Sequence, residues 1–107
     1  MNTKPLYDWQ DKDGQAKLQK ILTKLLDNGY NARMTNNKMF VEVYNETSVN
    51  PICSVYSSTW HSLGLLWVFV GYTHSAVCTT FSADEAYDML IEKYKEVITK
   101  CQKNNGN

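Results

Sequence analysis

The chain has 107 residues, with eleven basic and eleven acidic side chains that cancel to a formal net charge of zero. That length fits one domain of roughly 100 to 200 residues and excludes a mechanism built between two domains. A 43% hydrophobic fraction excludes disorder, no stretch reaches the roughly 18 consecutive apolar residues of a membrane helix, and the cancelled charge neither steers the chain toward nucleic acid nor mimics it.

Residues 1–13 carry no periodic apolar pattern and are expected to be irregular. One lysine precedes no apolar run there, so neither a secretory signal nor an anchor is expected, and the location expected is cytoplasmic. Between 15 and 28, Leu18, Ile21, Leu22, Leu25 and Leu26 recur at helical spacing, with Lys17, Lys20 and Lys24 on another face. Asp13 is placed to cap the start of this helix, and Asn28 and Gly29 to close its end.

Two strands follow at 30–35 and 38–44, around Asn36 and Asn37, a pair that tolerates positive φ and suits a two-residue hairpin turn. That turn sets Met34 opposite Met39, Ala32 opposite Val41 and Tyr30 opposite Val43 on an apolar face. Asn31, Arg33, Phe40 and Glu42 fall on the other. A third strand is predicted at 52–57, an apolar central strand at 65–72 and a short fifth strand at 76–80. Ser82 and Glu85 have the spacing of a capping box, which opens a helix striped by Ala86, Met89, Leu90, Tyr94, Val97, Ile98 and Cys101, running to about residue 103 before an irregular tail at 104–107. The sum is a single α+β domain over 1–107: a two-layer fold in which an antiparallel sheet of four or five strands carries the N- and C-terminal helices on one face.

From Thr47 to Ala83 there is no Asp, Glu, Lys or Arg, although 21% of the chain is charged. Sheets facing water guard their edges with charge or proline, because a bare edge recruits other strands. Packing alone accounts for the run if these strands are central. A contact surface accounts for it equally, since aromatic residues are enriched and charges depleted at the centre of protein interfaces.

Signals for chemistry are weak by comparison. Cys78 follows His74 by four residues, which is the raw material of an activated thiol, but a cysteine on an apolar strand is more often packing. Three cysteines at spacings of 25 and 23 fit reduced thiols, and Cys53, His61, His74 and Cys78 show none of the paired spacings of a zinc site. No Gly-x-Ser-x-Gly elbow, placed carboxylate pair or glycine-rich phosphate loop is present. No catalytic residue, metal or cofactor is expected.

The expected function is therefore a non-catalytic protein–protein interaction module, using Tyr56, Trp60, His61, Trp67, Phe69 and Tyr72 to engage a protein partner or a second copy in a homodimer. Ten lysines to one arginine, with ten asparagines, look like the usage of an AT-rich bacterial or phage genome. A small motif-free domain of that usage is the type of product phages make to block host machinery by occlusion or assembly, anti-CRISPR and other anti-defence inhibitors included. Two alternatives stand beside it. One is a domain binding or sequestering a small molecule or nucleotide through the same aromatics. The other is a nucleic-acid binder through Lys17, Lys20 and Lys24 with Arg33 and Lys38, which the zero net charge and lone arginine disfavour.

Overall fold

The computed structural model describes residues 12–46, 48–57, 64–71 and 75–105, with side chains between 14 and 100. Helix α1 covers Lys12–Asp27 and buries Leu18, Ile21 and Leu25 completely or nearly so. It starts ahead of Asp13, which lies within the first turn rather than capping it. Leu26, next around the helix from Leu25, is 52% exposed and does not belong to the apolar stripe.

Gly29 ends the helix as its sequence predicts. It takes φ +85°, its N–H reaches Leu26 O at 3.1 Å, and the Tyr30 N–H reaches Leu25 O at 3.0 Å. These are the paired bonds of a left-handed helix stop, which also deliver Tyr30 to the edge of the core.

The next elements are β1 (Asn31–Met34), β2 (Phe40–Tyr44), β3 (Cys53–Tyr56), β4 (Leu66–Val70) and β5 (Cys78–Thr80), and then α2 (Ala83–Asn105). All five strands form one antiparallel meander in sequence order. Helix α2 runs two residues past the expected end, so residues 104 and 105 are helical rather than tail.

The hairpin between β1 and β2 differs from expectation. Its loop holds Asn36, Asn37, Lys38 and Met39, closed by the Thr35 N–H on Phe40 O at 3.0 Å. Thr35 O accepts the Lys38 N–H, Asn37 Oδ1 accepts the Thr35 hydroxyl and the Met39 N–H, and Lys38 itself takes φ +61°. Side-chain oxygens thus stabilise a wider turn than the asparagine pair implies. Met34 consequently faces Val41 and Ala32 faces Val43, two residues out of the expected register. Because side chains alternate with a period of two, a slip of two leaves every residue on its expected face.

That face is the core. Val41, Val43, Cys53, Val55, Leu66 and Val68 are fully buried, packed with Leu18, Ile21 and Leu25 of α1 and Ala83, Ala86 and Leu90 of α2. Both helices therefore lie on one side, α1 over β1 and β2 and α2 over β3, β4 and β5. The uncharged run supplies β3 and β4, each paired on both sides, and β5, an edge only three residues long. Interior placement removes the need for edge-guarding charge in β3 and β4 but leaves their outward face unaccounted for, and shortness limits what β5 can recruit.

At the start of α2, Ser82 Oγ accepts the Glu85 N–H at 3.1 Å, as a capping box requires. The return bond is relayed: the Ser82 N–H goes to Thr80 Oγ1 at 3.0 Å, and the Thr80 hydroxyl donates to Glu85. One threonine on β5 thus ties the sheet edge to the helix cap. Ser82→Ala should lower stability by about 1 kcal/mol in urea unfolding. Thr80→Val should also destabilise, and the double variant should lose less than the sum of the two, because both residues serve one relay.

Candidate functional site: the open face of the sheet

Strand alternation sends a second set of side chains away from the helices. Register places them in rows across the strands. Phe40 on β2 faces Tyr56 on β3, Tyr56 faces Trp67 on β4, and Trp67 faces Thr79 on β5. One step along, Arg33 faces Glu42, Glu42 faces Ser54, and Ser54 faces Phe69. Beyond that, Asn31 faces Tyr44. Since both helices pack on the opposite side, no second layer covers this face among the described residues.

The face has an aromatic half and a polar half. Phe40, Tyr56, Trp67 and Phe69 are all partly exposed, and the Phe40 and Tyr56 rings stack at 4.8 Å between centroids with a 42° tilt. Such pairs contribute roughly 0.5–1.5 kcal/mol beyond their burial. Trp67 Nε1 is buried and has no hydrogen-bond partner among the described residues.

In the polar half the Arg33 guanidinium donates to the Tyr44 hydroxyl at 2.8 Å and lies over the Tyr44 ring at 4.4 Å, while that hydroxyl donates to Glu42 at 2.8 Å. The bond to Tyr44 pushes the Arg33 pKa further up, and Glu42 on the same hydroxyl sets a carboxylate beside this cation.

Of the residues expected to form the contact, Tyr56, Trp67 and Phe69 come together here on β3 and β4. Trp60, His61 and Tyr72 lie outside the described residues, as does His74. Phe40 completes the row and was not expected in it. Its alternation already put it on this face, but nothing in the sequence paired β2 with β3, and without that pairing its proximity to Tyr56 is invisible.

Lys20 and Lys24 of the lysine stripe meet the first turns of α2, and Lys17 meets residues that precede the helix. Lys17 Nζ donates to Gly64 O at 3.1 Å and sits 5.8 Å from the Phe81 ring centre, Lys20 pairs with Asp84 at 3.7 Å, and Lys24 lies 4.3 Å above the Tyr87 ring centre. Lys20 and Lys24 thus contact the neighbouring helix, while Lys17 contacts Gly64 and Phe81 outside it. Arg33 is on the outer face of the sheet and Lys38 in the hairpin loop, so the five basic residues do not share one surface.

Cys53 is fully buried among the core valines, donates weakly to Leu90 O at 3.7 Å, and has its thiol pKa pushed up to about 12 by burial. A thiol held neutral in this way is no nucleophile at pH 7. Cys78 is half-buried against the same core. Among the described residues no group of three His, Cys, Asp or Glu side chains is placed to hold a metal ion. No described helix is long and apolar enough to cross a membrane.

Burial of Cys53 makes a measurable pH dependence. Its folded pKa stands above the ordinary value of 9.0, so its contribution is intact below pH 9 and is lost as pH rises toward 12, while the unfolded chain ionises first. Tyr94, whose pKa burial also raises, acts in the same direction. Stability should fall on the order of 1 kcal/mol per pH unit across that window. Cys53→Ala should flatten the profile, and in thiol titration at pH 8 Cys53 should react only after denaturant is added. No family model, no curated protein and no solved structure matches this chain, so no role comes to it by likeness.

Proposed function

We propose that the protein is a non-catalytic interaction module that engages a protein partner, or a second copy of itself, through the open face of its sheet. The observation that carries this is the row Phe40, Tyr56, Trp67, set side by side by register on three adjacent strands with Phe69 alongside. A partly exposed aromatic cluster with a charged network at one border has the composition of an interface centre and its rim. Central strands fix the row rigidly, so little ordering cost remains to be met on binding.

Neutrality fits this use. On the face itself the described charges are Arg33 and Glu42, linked through Tyr44, so a partner need not strip water from isolated ions at its centre. Action by occlusion of a host complex, as phage-encoded inhibitors act, is one form such a contact takes. Self-association through the same face is the other.

Tyr56→Glu tests the proposal because it puts a charge at the centre of the row without touching the core. Analytical ultracentrifugation reads self-association, and affinity capture from the native host reads a partner. The variant should keep its melting temperature within a few degrees and lose whichever complex the parent forms. A parent that stays at 12.3 kDa and captures nothing, or a variant that retains the complex, overturns the proposal. Glu92→Lys, an exposed change on α2, should leave the complex intact.

A further inference from the structure

A cleft of about 360 Å³ opens at the end of the sheet away from the aromatic row, where the α1–β1 turn, the end of β2 and helix α2 meet. Tyr30, Tyr44 and Tyr94 line it, with Asn31, Asn45 and Glu46 between them. Glu46 is the only charged residue in the lining, so among the described residues the cleft has an anionic mouth and no cation.

Each wall is held by local bonding. Tyr30 is fixed by the left-handed stop at Gly29, which returns its N–H to Leu25 O at 3.0 Å. Its ring meets that of Tyr94 edge to face, with centroids 5.4 Å apart and planes at 88°, so the two aromatic surfaces form a right-angled corner. Glu46 sits in a turn tied by four bonds: its own N–H to Asn45 Oδ1 at 2.8 Å, the Asn45 N–H to Ser48 Oγ at 2.9 Å, and the Ser48 N–H and hydroxyl to Asn45 O. The Tyr94 phenol pKa is raised chiefly by burial, with smaller contributions from Cys53, Tyr30 and Glu46.

Tyrosine faces offer negative quadrupole potential, and a carboxylate beside them adds a full charge. Together they favour an organic cation that is poorly hydrated and wide enough to touch more than one ring. A metal ion would instead require several oxygen ligands, and an anion would be repelled by Glu46. We propose that this cleft is a binding site for an alkylammonium group, held against Tyr30 and Tyr94 with Glu46 as its counter-ion. Arg33 lies over the Tyr44 ring at 4.4 Å, is bound to the Tyr44 hydroxyl and is not part of the lining, so Tyr44 is not offered to the cation.

The site stands apart from the open face, and the two proposals fail separately. Amide resonances in a two-dimensional NMR titration provide the readout, with choline as the probe and 3,3-dimethylbutan-1-ol as its uncharged isostere. Choline should produce saturable shifts at Gly29, Asn31, Asn45 and Glu46, and the isostere should not. Glu46→Gln, an exposed change in the turn, should weaken binding about fivefold, the range of one partly exposed ion pair. Tyr30→Leu should abolish it in a protein that still melts cooperatively, and if that variant does not fold, Glu46→Gln decides alone. Tyr56→Glu should leave choline binding unchanged. N-acetyl-lysine amide as a second probe separates sources: binding equal to choline points to a peptide side chain, weaker binding to a free quaternary amine. Equal shifts with the isostere, no saturable shift at either probe, or undiminished binding in Glu46→Gln overturns the proposal.

Discussion

Everything in this fold follows from a two-residue alternation enforced on three adjacent strands. Val41 and Val43 on β2, Cys53 and Val55 on β3, and Leu66 and Val68 on β4 are sealed beneath two helices with essentially no exposure. Their burial supplies the hydrophobic stabilisation, roughly 1.5–3 kcal/mol for each large side chain. It also dictates by parity that Phe40, Tyr56, Trp67 and Phe69 must point the other way. A chain that needed only a core would fill those outward positions with threonine, lysine and glutamate. This one puts aromatics there and withholds charge from β3 and β4, and that choice turns a structural necessity into a candidate contact surface.

The same parity explains how much was legible beforehand. Helices at both ends and the faces of β1 and β2 follow from periodicity, the later strands from β-branched and apolar runs, and periodicity survives errors of register when the slip is even. The β1–β2 hairpin illustrates this: its loop is two residues wider than the asparagine pair implies, yet Ala32 and Met34 still meet the helix side. Asp13 and the end of α2 were misjudged because helix ends depend on local bonding rather than on the stripe. Leu26 was misjudged because five apolar residues on α1 exceed what one face can bury.

The contact row was half legible. Tyr56, Trp67 and Phe69 fall within one conspicuous uncharged stretch, whereas Phe40 lies outside it and joins only through cross-strand pairing at a sequence distance of 16. The tyrosine corner was not legible at all. Tyr30 and Tyr94 are 64 residues apart, one at a turn and the other on an amphipathic stripe, and only the closure of α2 over the sheet sets their rings at a right angle. Nor did spacing reveal that Lys20 and Lys24 address Asp84 and Tyr87, since that needs the relative course of two helices, or that Lys17 addresses Phe81 ahead of α2.

The division of labour between the helices has a consequence for how the chain assembles. Helix α1 rests on β1 and β2, its immediate successors, and α2 rests on β3, β4 and β5, its immediate predecessors. Two blocks therefore meet along the seam between β2 and β3, and the contacts between α1 and α2 are the ones that join distant parts of the chain. Within each block closure is short-range, and that part of folding carries the smaller loop-closure cost. During synthesis the first block can gather while the second is still in the ribosome, leaving the outer strand edge of β2 bare until β3 arrives to cover it.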